Sequence, residues 1–116
     1  MSAMHELSLL QNVRDILEAE ALKQGFCKVR QVTLEIGELA CIEAEALRFG
    51  FDVVMKDSLA ADAELVIEHL AARGRCRHCH QDMAMDGLQQ ICQFCGQYGV
   101  DILQGDTMKI KELRVI

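Results

Sequence analysis

The chain has 116 residues, a formal net charge of -6 and 51% hydrophobic residues. This length allows one domain, or one domain with a small module, that buries roughly two-thirds of its unfolded surface. The acidic balance, with four Phe, one Tyr and no Trp, supplies neither a basic field nor stacking platforms, so we expect no nucleic-acid partner. The chain contains no apolar run of about 18 residues, and its start lacks the basic flank and apolar stretch of a signal peptide. We therefore expect no membrane association and a cytoplasmic location.

Two amphipathic helices are predicted from apolar residues at helical spacing. The first covers residues 7–23, and Gly25 is its C-terminal stop. Its apolar positions are Leu7, Leu10, Val13, Leu17 and Ala21. The second helix ends near Lys56. Its predicted buried face consists of Ile42, Ala46, Phe49 and Val53, widened by Leu47 and Val54.

Three strands are predicted around these helices. Residues 31–36 alternate between apolar and polar, which predicts a half-buried strand, and residues 65–70 form a second strand. Residues 108–116 form a third, in which the apolar positions change parity, so we expect a bulge near Lys111 or Glu112. If the last strand rejoins the first sheet, the fold is α+β: two helices packed on a small three-stranded sheet, with a module inserted before the last strand.

The inserted segment contains four cysteines as two CxxC pairs with twelve residues between them, at Cys76, Cys79, Cys92 and Cys95. A tetrahedral ion needs four soft ligands about 2.3 Å away, and a two-residue gap lets both thiolates of a turn face the same ion. The equal spacing of the two pairs favours a metal over two disulfides. Because sulfur fills all four positions, the pattern predicts a structural zinc site with no open position for catalysis.

Hydrophobic periodicity fades after Ala71, so the folding of this segment should depend on metal binding. We predict a zinc-binding domain at residues 73–105 and an α/β domain at residues 1–72 plus 106–116. The sequence has no HExxH motif, nucleophile elbow or phosphate-binding glycine loop, so we do not expect an enzyme. Two other interpretations of the cysteines stay open: a small zinc-ribbon adaptor that binds protein, and a rubredoxin-like electron carrier that holds iron.

A second candidate metal site lies in the stretch Met4-His5-Glu6-Leu7. Imidazole and deprotonated backbone amides are nitrogen donors that suit square-planar nickel or copper. Such a site can be dismantled by moving a few residues or protonating His5, as a carrier requires, whereas four thiolates hold their ion tightly. By composition alone, an exposed terminal histidine is the simpler interpretation.

Four stretches in fixed order resemble the HypA/HybF family of hydrogenase-maturation nickel metallochaperones. They are the Met-His-Glu-Leu start, residues 32–39 (VTLEIGEL), residues 45–52 (EALRFGFD) and the paired CxxC segment. The resemblance implies that the protein carries nickel to the large-subunit precursor of nickel-iron hydrogenase together with a HypB-type nickel GTPase. In some organisms such proteins also serve urease maturation proteins.

The resemblance also assigns both metal sites. The nickel site maps onto the His5 side chain with the main-chain nitrogens of Met4, His5 and Glu6, which makes residues 1–72 plus 106–116 the nickel-binding domain. The zinc site maps onto the four cysteines. The family usually begins at the Met before this His, whereas Met1-Ser2-Ala3 precede it here. Either Met4 is the true start or the site is built differently, and Met4 is the ligand most affected.

Two further points are left open by the sequence. His78 and His80 flank the first CxxC pair, and one hypothesis is that one of them replaces a thiolate at low pH or when nickel binds; exposed loop histidines are the simpler interpretation. A monomer and a homodimer are both compatible with the predicted sheet.

Overall fold

The computed structural model describes residues 3–87 and 90–116, and for residues 3–5 it describes the backbone alone. That part of the chain contains two helices and six strands. The strands form two three-stranded sheets, with strand orders β2-β1-β6 and β4-β3-β5. The elements are α1 Ala3–Gln24, β1 Val29–Gly37, α2 Ala44–Val54, β2 Glu64–Leu70, β3 Arg73–Cys76, β4 Asp82–Ala84, β5 Val100–Gln104 and β6 Met108–Val115. The predicted α+β fold is confirmed, and the last strand does join the first sheet.

The chain divides into two compact units. The first consists of residues up to Leu34 together with Ile42–Ile67 and Ile110–Ile116. The second consists of Glu35–Cys41 and Glu68–Lys109 and contains all of the sheet β4-β3-β5. The predicted functional division, with a zinc-binding domain at residues 73–105, is a different partition and stays a prediction. Neither helix of the described part of the chain combines the length and the hydropathy of a membrane span.

Helix α1 is longer than its apolar spacing predicts, because it begins at Ala3. It ends as predicted at Gly25, whose φ of 79° lets its N–H donate to the Ala21 carbonyl at 2.8 Å. A residue without Cβ adopts this left-handed conformation at little cost. Three of the five predicted apolar positions are almost fully buried, namely Leu10, Val13 and Leu17.

Helix α2 is rotated relative to the face that its apolar spacing predicts. Its buried residues are Leu47, Gly50 and Phe51. The burial of Leu47 is confirmed, whereas the prediction is wrong for Phe49, which is 76% exposed, and for Val53, which is 56% exposed. The reason is Gly50: a Cβ placed there would lie 2.8 Å from Leu10 Cδ1, so α1 packs directly on the α2 backbone. This close approach turns Leu47 and Phe51 toward the core.

Strand β1 is the central strand of its sheet. Val32, Leu34 and Ile36 are buried as predicted. On the opposite face Gln31 and Glu35 are partly buried, as a half-buried strand predicts, but Thr33 is only 5% exposed. The alternating pattern predicts the apolar face correctly. The burial of a residue on the polar face depends on elements elsewhere in the chain, which a local pattern does not show.

The end of β1 meets the segment between β5 and β6 within the second unit. The Gly37 N–H donates to the Thr107 carbonyl at 2.9 Å, and the Leu39 N–H donates to the Gly105 carbonyl at 2.7 Å. A Cβ on Gly37 would overlap the carbonyl group of Gly105. Gly105 itself has a φ of 97°, which side chains rarely allow. Both positions therefore require glycine for steric reasons.

We predict that Leu47→Ala lowers the free energy of unfolding by about 2–5 kcal/mol, because it leaves a cavity in the core. The matched variant Phe49→Ala, two residues away on the exposed face, should change it by about 0.5 kcal/mol or less. Urea denaturation of both variants measures the difference. Equal destabilisation, or a larger effect for Phe49→Ala, would contradict the orientation of α2.

Candidate metal centre

The four predicted cysteines lie together. Their Sγ atoms are all within 4.8 Å of one another, and 3.6 Å separates Sγ of Cys76 from Sγ of Cys95 and Sγ of Cys79 from Sγ of Cys92. All four are free thiols. A tetrahedral ion with sulfur ligands at 2.3 Å requires sulfur-to-sulfur separations of about 3.8 Å. The cluster therefore fits a four-coordinate, all-sulfur metal site.

The first CxxC pair forms a tight turn at the end of β3. The Cys76 N–H donates to the Gln81 carbonyl at 3.0 Å, and the His80 N–H donates to the Cys76 carbonyl at 3.0 Å. The backbone N–H groups of His78 and Cys79 point at Cys76 Sγ, at 3.3 and 3.4 Å. The turn thus places the sulfur of the first cysteine against two donors, which favours its thiolate form.

The second pair repeats this geometry. The Cys92 N–H donates to the Gln97 carbonyl at 2.9 Å, and the N–H groups of Phe94 and Cys95 point at Cys92 Sγ, at 3.3 and 3.4 Å. The residue after each pair has a left-handed backbone: Gly96 has a φ of 75° and its counterpart His80 a φ of 64°. Two equivalent turns, related by sequence as well as by hydrogen bonds, therefore form the cage.

The surroundings of the sulfurs shift their proton affinities in opposite directions. The N–H of Cys79 is the main cause that lowers the pKa of Cys76 to about 6. Burial opposes ionisation of Cys92, but the N–H groups of Cys95 and Phe94 outweigh it and lower the pKa of Cys92. The Gln97 backbone favours the Cys95 thiolate, but burial and the neighbouring thiols outweigh it and raise the pKa of Cys95 to about 12. Full ionisation of the cluster thus calls for a cation, which compensates the repulsion among four thiolates.

The cysteines also supply the interior of this part of the fold. Cys76, Cys92 and Met83 form a buried cluster, against which Cys79 and Val100 pack. Two of the three buried residues are therefore candidate metal ligands. A metal at this point would replace the apolar core that the segment lacks, as its composition predicts.

Comparison with known proteins identifies the family. The family model described as "Hydrogenase/urease nickel incorporation, metallochaperone, hypA" matches residues 4–115. The hydrogenase maturation factor HypA of Psychromonas ingrahamii is 46% identical over 112 residues, which cover 97% of this chain and 98% of that protein. This chain belongs to the HypA family.

Other HypA proteins also match this chain over nearly its whole length. HypA of Azotobacter vinelandii is 41% identical over 112 residues, covering 97% of this chain and 99% of that protein. The solution structure of the nickel metallochaperone HypA from Helicobacter pylori superimposes with a TM-score of 0.75 at 25% identity, covering 96% of this chain and 97% of that one. The resemblance to this family carried by four short stretches of the sequence is confirmed.

The predicted nickel residues of this HypA-family chain are described only in part. Met4 and His5 belong to α1 by their backbone, but their side chains lie outside the described residues. Glu6 is described, and its side chain is 3% exposed, with Oε2 accepting a hydrogen bond of 3.2 Å from the Glu43 N–H. The cysteine cluster is the metal-binding group found among the described side chains, and the nickel assignment stays a prediction.

The two histidines that flank the first pair, His78 and His80, are both exposed. The exchange of a thiolate for His78 or His80 stays a hypothesis. The sequence gives no sign of a role for the Glu6 side chain, since the resemblance assigns only the main-chain nitrogen of this residue. A charged residue in the first turn of α1 was visible in the sequence, but its burial against a residue 37 positions later was not.

We predict that Cys76→Ser removes stoichiometric zinc from the purified protein, because three sulfurs no longer close the tetrahedron. Cys27→Ser, which alters an exposed thiol outside the cluster, should retain one zinc ion per chain. Elemental analysis by mass spectrometry gives the stoichiometry. Retention of a full zinc equivalent by Cys76→Ser would show that the four sulfurs do not form the site.

Proposed function

We propose that this protein binds nickel(II) at the N-terminal end of α1 and delivers it to the large-subunit precursor of nickel-iron hydrogenase, while the four cysteines hold a structural zinc ion. The main support is the closed all-sulfur cluster in a chain of a nickel-incorporation family. A site whose four positions are filled by protein sulfur has no vacancy for a transferred ion. The cargo therefore needs a second site.

The proposed cargo site uses the His5 side chain and the main-chain nitrogens of Met4, His5 and Glu6. Helix α1 begins at Ala3, so the N–H groups of Met4 and His5 precede the first intrahelical hydrogen bond, and Glu6 lies in the same turn. They are available as donors without breaking the hydrogen bonds of later turns. A planar set of nitrogens suits nickel(II), but consecutive nitrogens of a helical turn do not surround one point. The first residues of α1 must therefore unwind around the ion.

The same proposal assigns roles to the two parts of the chain and to their partners. Residues 1–72 with 106–116 bind nickel, and residues 73–105 bind zinc and keep their fold through it. The zinc ion supplies no reaction; it neutralises the thiolates and holds both CxxC turns together. A HypB-type nickel GTPase is the proposed partner in delivery, urease maturation proteins are further candidate clients, and the cytoplasm is the proposed location.

We predict that the zinc-loaded protein binds one nickel ion in a calorimetric titration and that His5→Ala weakens this binding at least about tenfold, equivalent to about 1.4 kcal/mol. The physical reason is the loss of the imidazole ligand. His69→Ala is the matched control, because His69 is an exposed histidine on β2 and its loss should leave the affinity unchanged. Equal nickel affinity in His5→Ala and the parent would support a zinc-ribbon adaptor instead.

The same titration compares chains that start at Met1 and at Met4. The chain starting at Met4 presents its terminal amine next to His5, whereas the chain starting at Met1 presents an amide there. We expect tighter binding from the Met4 start, since an amine donates to nickel without first losing an amide proton. Absence of nickel binding in both chains would overturn the proposed function.

A further inference from the structure

Helix α2 lacks a cap of its own and takes one from α1. Its N-cap residue, Glu43, makes no side-chain capping hydrogen bond. The Glu43 N–H instead donates to Glu6 Oε2 at 3.2 Å. In a capping box, a Glu three residues into the helix accepts this bond, but here that position is Ala46. The buried carboxylate of Glu6 takes its place, 37 residues earlier in the chain.

Helix α1 also contacts the other end of α2. The Arg14 guanidinium donates through Nη1 to the carbonyl of Val54, the last residue of α2, at 2.7 Å. Helix α1 thus places an acid at the start of α2 and a base at its end, which matches the partial charges of the helix. Between these contacts, α1 lies against Gly50. The two ends of α2 are therefore held independently, and only the Glu6 end lies in the proposed nickel-binding turn.

The contact at Glu6 depends on a single bond. Glu6 Oε1 is buried and has no hydrogen-bond partner among the described residues, so within that part of the chain the bond from the Glu43 N–H to Oε2 is the one that satisfies this carboxylate. A buried carboxylate without a donor is strongly unfavourable. Loss of the Glu43 N–H should therefore drive the Glu6 side chain out of its site, just as removal of the carboxylate releases the turn.

We propose that the Glu6 carboxylate is a positioning group for the nickel site: it holds the turn that contains the Glu6 main-chain nitrogen against the start of α2 and is not itself a nickel ligand. The inference rests on the proposed nickel-binding role of residues 4–6. When those residues unwind around the ion, the anchored Glu6 side chain keeps the last donor nitrogen in place. Preorganisation of one donor lowers the conformational entropy lost on binding.

Two pairs of variants test this in the zinc-loaded full chain, with nickel(II) titrations by calorimetry. Glu6→Ala removes the acceptor and should weaken nickel binding about five- to tenfold, whereas Glu6→Gln keeps a side-chain oxygen and should stay within about twofold of the parent. Glu43→Pro removes the donor and should behave like Glu6→Ala. Glu43→Ala keeps the N–H and should behave like the parent. Proline is compatible with the φ of -85° at Glu43.

Arg14→Gln is the control for a general loosening of α2, because it removes the contact at the other end. It should leave nickel affinity unchanged. The nickel-edge X-ray absorption spectrum of Glu6→Ala at saturating nickel should match that of the parent, since no ligand is lost. Loss of one nitrogen or oxygen neighbour from that spectrum would identify the carboxylate as a ligand and overturn the proposal.

The outcomes separate this inference from the function on which it rests. If the parent binds no nickel, the proposed function itself fails. If the parent binds nickel through His5 but Glu6→Ala binds as tightly, only the positioning role is overturned. An equal loss in Arg14→Gln, or in Glu43→Ala, would overturn it as well. Should Glu43→Pro not fold, as judged by zinc content and circular dichroism, the comparison of Glu6→Ala with Glu6→Gln still decides.

Discussion

The convergence of four cysteine sulfurs within 4.8 Å is the constraint on which the inserted sheet depends. The cluster occupies the place of a core, because Cys76 and Cys92 are themselves buried and form a cluster with Met83. Each pair also takes its shape from backbone N–H groups that point at the first sulfur of the turn. A metal that closes this cage contributes to folding directly, since the cage scarcely exists in the unfolded chain. The same closure removes the site from any role that needs an open coordination position.

Under the proposed function the cargo is bound elsewhere, at the start of α1, which has the opposite physical character. Its proposed donors are nitrogens, the N–H groups of its first residues have no intrahelical acceptor, and it lies at the end of an element. Contacts between α1 and α2 hold the rest of α1 in place. Gly50 allows the two helices to approach closely, and Glu6 and Arg14 carry charges opposite to the partial charges at the two ends of α2. Firm anchoring next to a turn that can rearrange is the combination that reversible metal binding requires.

Much of this was predictable from the sequence, for identifiable reasons. The two CxxC pairs indicate their site because the ligand spacing is itself the geometric requirement. The strands β1 and β2 and the end of α1 at Gly25 follow from local patterns. The orientation of α2 did not follow, because its apolar residues are compatible with two faces, and the face that packs is selected by Gly50 and by Leu10 of another element. The burial of Thr33 and the contact between Glu6 and Glu43 also depend on tertiary structure, which no local pattern encodes.

If two metals occupy sites of different chemistry, X-ray absorption at the zinc and nickel edges of one sample will show different neighbours at each edge. The sample is the full chain loaded with one zinc and one nickel ion. We expect four sulfur neighbours at about 2.3 Å around zinc and only nitrogen and oxygen neighbours around nickel. Sulfur scattering at the nickel edge, or zinc released in proportion to nickel bound, would contradict this expectation.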